Sequence, residues 1–471
     1  MCNLVTLLLL VLGLTSLSDG VFPSIPGVQQ AFDDHDQCFC KLQGGIDDCL
    51  CNVDTVDTFN NNQLYPRLNS LLSHDYFKFY KVDLGRECPF WSDDSKCAIR
   101  YCHVETCGES DIPPGLKGGA ENVSKKNRVS YTEEAQNFHE GCDTDTELGY
   151  LNTTISAAAH AHFLEWEHFD DSNSENFCDE SGYLGSNAAY VDLSLNPERY
   201  TGYKGDSAHR IWHSIYRENC FRPKATFKAY IESAKLQGMC LEKRSFYRAI
   251  SGLHSSINIH LSSRYLLSDK SSLGLPSPGG TWGPNLAEFY RRFSPEHTEG
   301  EGPNWLQNLY FLYILEMRAI AKASPYLLRE SYFTGKSEED KMVSEAVRDI
   351  LKVIKGFPHH FNESTMFNGG KQAIKLKNEF RQHFRNISRI MDCVGCEKCK
   401  LWGKLQIQGL GTALKILFSG RFDLVLKNMD ITKVSRNEFQ LHRMEIVALF
   451  NAFGRLSTSI FELENFRKLM R

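Results

Sequence analysis

The chain has 471 residues, 42% of them apolar and 12% aromatic, with a formal net charge of -5 at pH 7. That length supports a large buried core, in one big domain or two or three smaller ones. The mild charge and the lack of a dominant basic stripe argue against nucleic acid as a partner.

Leu4 to Leu17 is nearly all apolar, centred on Leu7 to Leu10, with small residues at Ser16, Ser18 and Gly20. Residues 1–20 therefore read as a secretory signal peptide, too short to span a bilayer, although the n-region lacks Lys and Arg. No other stretch approaches 18 or so unbroken apolar residues, so the mature chain is expected to be soluble. Sequons at Asn122, Asn152, Asn362 and Asn386 support entry into the secretory pathway. The chain ends Lys468-Leu-Met-Arg471 without an endoplasmic reticulum retention signal, so it is either secreted or held by a partner. Once Cys2 leaves with the signal, fifteen of the 16 cysteines remain in an oxidising compartment. Disulfides follow, and the odd count leaves at least one thiol over.

Cys38-Phe-Cys40 and Cys49-Leu-Cys51 flank Gly44-Gly45. A C-x-C on a strand puts both sulfurs on one face, and a glycine pair suits a two-residue turn. The pairs 38/51 and 40/49 share a midpoint between those glycines, so nested bridges Cys38–Cys51 and Cys40–Cys49 are inferred; a four-thiolate zinc knuckle is the alternative. Leu64, Leu68, Leu71 and Leu72 give helical spacing over 60–81. Cys88, Cys97, Cys102 and Cys107 follow in a loop rich in Ser, Asp and Pro. The last three are spaced by five, so Cys102 can pair with either neighbour. Disulfide transfer and a rigid cystine loop both fit this segment.

Residues 108–190 are polar and contain Cys142 and Cys178. Asp143-Thr-Asp145-Thr-Glu147 resembles the start of a calcium loop, but the glycine comes one place late and later ligands are missing. His160, His162 and His168 read as a solvated loop rather than a metal site. From about Leu193 a helical body begins, with 3.6-type spacing over 208–218, 243–259, 305–323, 341–355, 371–390, 411–418 and 443–468. The Pro-Gly run 275–284 reads as a loop between helices. Gly409-Leu-Gly411 lacks the third glycine and the preceding strand of a nucleotide-binding turn, and reads as a turn opening a helix. No β–α alternation is seen. The reading is thus mainly α: a signal peptide (1–20), a disulfide-linked hairpin (21–60), a cysteine-bearing and polar loop region (61–190), and a helical core (191–471).

Cys393-Val-Gly-Cys396-Glu-Lys-Cys399 holds a C-x-x-C plus a third sulfur. Zinc ligation, a structural cross-link and a redox pair are all open to it. Cysteines alone only exchange disulfides; net oxidation needs an acceptor, and a flavin fits. A helix N-terminus or Lys398, Lys400 and Lys404 could lower the thiol pKa.

Four stretches now carry a resemblance: Asn196-Pro-Glu-Arg199-Tyr-Thr201-Gly-Tyr-Lys-Gly205, Arg248-Ala-Ile-Ser251-Gly-Leu-His254, Thr298-Glu-Gly-Glu-Gly-Pro303, and Arg385 through Cys396. Together, in this order, they make the chain resemble the endoplasmic reticulum oxidoreductin family, the flavin-dependent thiol oxidases of protein disulfide isomerase. The resemblance implies a single large helical domain around FAD, with a mobile shuttle loop. It implies an inner disulfide Cys396–Cys399, a shuttle disulfide Cys97–Cys102, an anchor Cys88–Cys393 and a structural Cys220–Cys240. It also implies an off-switch in which Cys102 moves to Cys107 and Cys97 to Cys142, with Cys178 left as the odd thiol. The FAD contacts it implies are Arg199, Thr201, Trp212, Ser251, His254 and Arg292; Trp305 stands where the family often has a further arginine. No metal is implied. The partners would be protein disulfide isomerase, related thioredoxin-fold oxidoreductases and oxygen, with hydrogen peroxide as product. The expected setting is the endoplasmic reticulum lumen, as a monomer with at most peripheral membrane association. The resemblance leaves open which of Cys396 and Cys399 faces the flavin. The rivals are a non-enzymatic disulfide-stabilised glycoprotein and a zinc-binding protein.

Overall fold

A computed structural model describes residues 39–91, 97, 100–117, 176–179, 181–199, 206–221, 236, 239–358, 361–419 and 441–470. Its centre is α-helical, and most of the long helices follow from their apolar spacing. Helix α1 (Val53–Phe59) runs through a π turn (Asn60–Leu64) into α2 (Tyr65–Leu72). Helix α3 (Asp206–His213) continues into a second π turn (Ser214–Glu218). Then come α4 (Leu241–Ser263), α5 (Leu286–Phe293), α6 (Gly302–Leu327), α7 (Ser337–Lys355), α8 (Gly370–Ile390), α9 (Glu397–Phe418) and α10 (Arg443–Leu469). Helix α10 is long and apolar enough to cross a membrane, but 83% of its most apolar stretch is buried against the rest of the protein. Buried on nearly every side, it is the axis of the core, with α9, α4 and α6 packed along it.

Gly409 and Gly411 both lie inside α9. A Cβ on Gly409 would collide with the carbonyl of Ala448 on α10, and one on Gly411 with the sulfur of Cys178. The G-x-G pair is therefore a close-packing face and not a turn. Helix α9 begins 14 residues earlier than the apolar spacing from Gly411 indicates, at the cysteine motif itself.

Two short sheets depart from the sequence reading. The helical pattern over 60–81 breaks after Leu72, resumes for one turn at Asp75–Lys78 and ends there; Phe79–Val82 becomes strand β1, antiparallel to β2 (Ala189–Asp192) with Phe79 opposite Asp192. The run read as a loop over 275–284 forms β4 (Pro276–Gly283), paired with β3 (Tyr265–Lys270) in a hairpin. Both strands of a two-stranded ribbon are edges, so prolines there break no ladder.

The N-terminal hairpin is also corrected. Ile46 N–H donates to Cys51 O (2.8 Å), Val53 N–H donates to Gly44 O (3.1 Å), and Gly45 pairs with Asn52. The chain thus reverses between Asp48 and Cys49, with Asp48 at φ 60°, four residues beyond the glycine pair. In that register Cys51 faces Ile46 and Cys49 sits in the turn. Cys49 and Cys51 stand as thiols, so neither Cys40–Cys49 nor Cys38–Cys51 is closed; Cys38 itself lies outside the described residues. Arg244 and Arg248 of α4 bind Asp48 and so hold this turn, at 2.8 and 3.0 Å.

Candidate active site

The site is built on the first turn of α9. Cys396 is the N-cap: its Sγ accepts from the Cys399 N–H at 3.2 Å. Partial positive charge at a helix N-terminus favours a thiolate at that place. Just upstream, Cys393 is joined to Cys88 by a disulfide with Cα atoms 4.4 Å apart. Beside it Asp392 is buried among Arg389 (3.0 Å), Arg86 (3.5 Å) and Lys404. The anchor and this charge cluster lock residues 86–88 to the start of α9.

Cys97 and Cys102 form a disulfide, and their sulfurs and that of Cys396 all lie within 4.8 Å of one another. Two contacts hold the loop there. Glu397, next to Cys396, accepts from Val104 N–H at 3.0 Å and lies 2.8 Å from His103 Nδ1. On the other side the β3–β4 hairpin clasps Tyr101: its hydroxyl donates to Asp269 at 2.5 Å, and its ring meets Trp282 edge-on at 5.2 Å. The Arg199 guanidinium lies over the same Trp282 ring at 4.9 Å.

Behind the cysteines a cavity of about 480 Å³ opens between α3, α4, α5 and α9. Its lining includes Arg199, Trp212, His254, Arg292, Lys398, Cys399 and Gln406. The Trp212 and His254 rings are stacked, centroids 3.6 Å apart and 18° from parallel. Tyr216 Oη is 3.1 Å from His254 Nδ1. Burial, with a smaller push from Arg292, holds the His254 pKa at about 3, so the ring is neutral. Arg292 is oriented by Asn258 (2.5 Å) and Glu288 (3.2 Å). Burial, then the nearby Arg199 charge, lowers the Lys398 pKa.

Not every expected contact reaches the cavity. Ser251 lies off its wall, accepting from Asn308 Nδ2 of α6 at 2.9 Å. Trp305 is also off the wall; its carbonyl accepts from Ser255. Thr201 lies outside the described residues. Glu397 and Gln406 were missed from sequence, since a lone acid or amide in a helix carries no spacing signal.

The other cysteines divide clearly. Cys178 is a buried thiol donating to Ile407 O at 3.4 Å, and burial raises its pKa. Cys107 is a thiol whose backbone N–H pairs with Tyr190 O; burial, then Asp192, raises its pKa. Cys240 is disulfide-bonded. Cys142, Asn122 and Asn152 lie outside the described residues. Asn362 is exposed. Asn386 is buried, its amide donating to Asn219 at 2.9 Å, so this packing leaves no room for a glycan there and the expectation at Asn386 is corrected.

Residues 63–463 match the family model described as Endoplasmic Reticulum Oxidoreductin 1. The chain belongs to this family. It is 53% identical to the Ero1-like protein of Drosophila melanogaster over 475 aligned positions, covering 98% of this chain and 96% of that one. The human ERO1-like protein alpha is 49% identical over 92% of each chain. The solved structure of Ero1p, titled "Source of Disulfide Bonds for Oxidative Protein Folding in the Cell", superposes with a TM-score of 0.54 at 28% identity, covering 88% of this chain and 97% of that one. The oxidoreductin chain described here is thus a mainly helical oxidoreductase of oxidative protein folding.

Proposed function

We propose that this oxidoreductin is a flavin-dependent thiol oxidase that re-oxidises protein disulfide isomerase in the endoplasmic reticulum lumen. The observation that carries the reading is the bunching of three sulfurs, Cys97, Cys102 and Cys396, with Cys399 one turn on in the wall of the cavity. A dithiol of the partner attacks Cys97–Cys102; two electrons and two protons pass to that pair, and the partner leaves as a disulfide. The shuttle dithiol then attacks the inner disulfide Cys396–Cys399 at Cys396, through a mixed disulfide, and is itself re-closed. The helix N-terminus and Lys398 stabilise the thiolates formed on the way.

The cavity suits FAD in size and in donors. Its volume lies within the usual range for ligand pockets. The Trp212–His254 stack offers a plane, and Arg199 and Arg292 suit the pyrophosphate. Ser251 and Thr201 remain family expectations without support from the cavity wall. FAD bound there would supply a two-electron acceptor for the inner dithiol, with oxygen as terminal acceptor and hydrogen peroxide as product. The off-switch through Cys102–Cys107 and Cys97–Cys142 belongs to the same reading, and Cys107 stands as a thiol, free to take part.

Purified protein should be yellow and release flavin on denaturation, and Cys396→Ala should hold flavin yet consume no oxygen with reduced isomerase. Full oxygen uptake by that variant would sink the relay. A colourless, zinc-loaded protein would favour the metal-binding alternative.

A further inference from the structure

One group in the cavity has no role in the relay and no hydrogen-bond partner among the described residues. Gln406 stands on the cavity face of α9, two turns beyond Cys399 and one beyond Trp402 and Gly403. It is 1% exposed, and among the described residues neither its Oε1 nor its Nε2 has a hydrogen-bond partner. Buried amides are almost always paired, because an unpaired one has lost its water for nothing. The neighbouring wall is apolar, with Ile387, Ile407 and Met391, so a leucine would pack there without penalty.

We infer that Gln406 is a cofactor-binding residue whose carboxamide pairs with the imide edge of the flavin ring. A carboxamide offers one donor and one acceptor side by side, and an imide presents their complement, an N–H beside a carbonyl. A phosphate needs donors only, and the cations that suit it, Arg199, Arg291 and Arg292, are on other elements of the wall. The reacting ring must lie against the sulfur of Cys399, and Gln406 is on the same helix face as that residue. The assignment rests on the flavin-dependent reading above.

The test is a titration of FAD and of 3-methyl-FAD, which lacks the imide N–H, into the flavin-stripped full chain, followed by flavin fluorescence. Wild type should bind FAD at least tenfold more tightly than the methylated analogue. In Gln406→Leu the affinity for FAD should fall about tenfold and the discrimination should vanish, while the stripped variant melts no lower than stripped wild type. If Gln406→Leu binds FAD as tightly as wild type and still discriminates, the assignment is overturned and the flavin reading stands. If wild type binds no FAD, the flavin reading fails and takes the assignment with it.

Discussion

Replacing Asp392 by Asn should destabilise the protein by about 3 kcal/mol, the lower part of the range for breaking a buried ion pair on one side. The Asp392 side chain is only 1% exposed and faces three cations, Arg389, Arg86 and Lys404. Two of these keep another carboxylate, since Asp179 lies 2.6 Å from Arg86 and 3.3 Å from Arg389. Lys404 has none to fall back on: burial lowers its pKa, and Asp392 is what opposes that shift. The cost is therefore the stranding of one buried ammonium, which places it at the lower end. Urea unfolding followed by tryptophan fluorescence, with disulfides intact, measures it. Added salt should change the difference little, because buried pairs are weakly screened. In Asp392→Asn/Lys404→Met the stranded charge is gone and most of the loss should be recovered. A loss below about 1 kcal/mol, or no recovery in the double variant, would refute the charge argument.

Three other outcomes follow from the same contacts. Burial holds the pKa of His254 at about 3 and those of His260 and His383 at about 4; below the unfolded value near 6.5 the unfolded chain takes up protons that the native state refuses. Stability is therefore complete above pH 6.5 and falls as pH drops, by about 1 kcal/mol per histidine between 6.5 and 5.5; equal urea midpoints at the two pH values would contradict this. Asp269→Ala together with Trp282→Ala removes the carboxylate and the ring through which the hairpin holds Tyr101 and should slow shuttle-to-inner disulfide exchange about threefold in stopped-flow, with thermal stability little changed because the hydrogen bond is exposed; an unchanged rate would dismiss the clasp. Cys178 should resist iodoacetamide for hours in the native protein and label at once in urea, read by peptide mass spectrometry; rapid native labelling would contradict its burial.

Much of the helical body was legible because its signal is local. The Leu306-Leu309-Leu312-Tyr313 stripe recurs every three or four residues and is buried as α6. The sheet of β1 and β2 was not legible, since its partners lie some hundred residues apart and no local pattern joins them. At the N-terminus the symmetric cysteine spacing favoured a turn at Gly44-Gly45, whereas the fold reverses at Asp48, where two arginines of α4 bind the carboxylate. The cavity residues Arg199, Trp212, His254 and Arg292 came from family likeness alone; separately each reads as core or surface. Ser251 shows the limit of transfer along a helix: it is three residues from His254, yet it faces α6.

The C-x-x-C spacing acquires a meaning that the sequence left open. Cys396 is the last residue before α9 and Cys399 is in its first turn, so the two sulfurs stay close enough to exchange while looking onto different surroundings. Cys396 meets the Cys97–Cys102 pair, and Cys399 meets the cavity. On the proposed relay, thiol exchange enters at one sulfur and electrons leave at the other. The third cysteine fits that relay: bonded to Cys88, Cys393 fixes the root of the Cys97–Cys102 segment three residues from Cys396, the sulfur that segment would have to reach. An anchor further away would leave the loop a longer search, since the entropy of closing a loop grows with its length. The crowding of three cysteines into seven residues is thus a short tether between a fixed point and a reacting one.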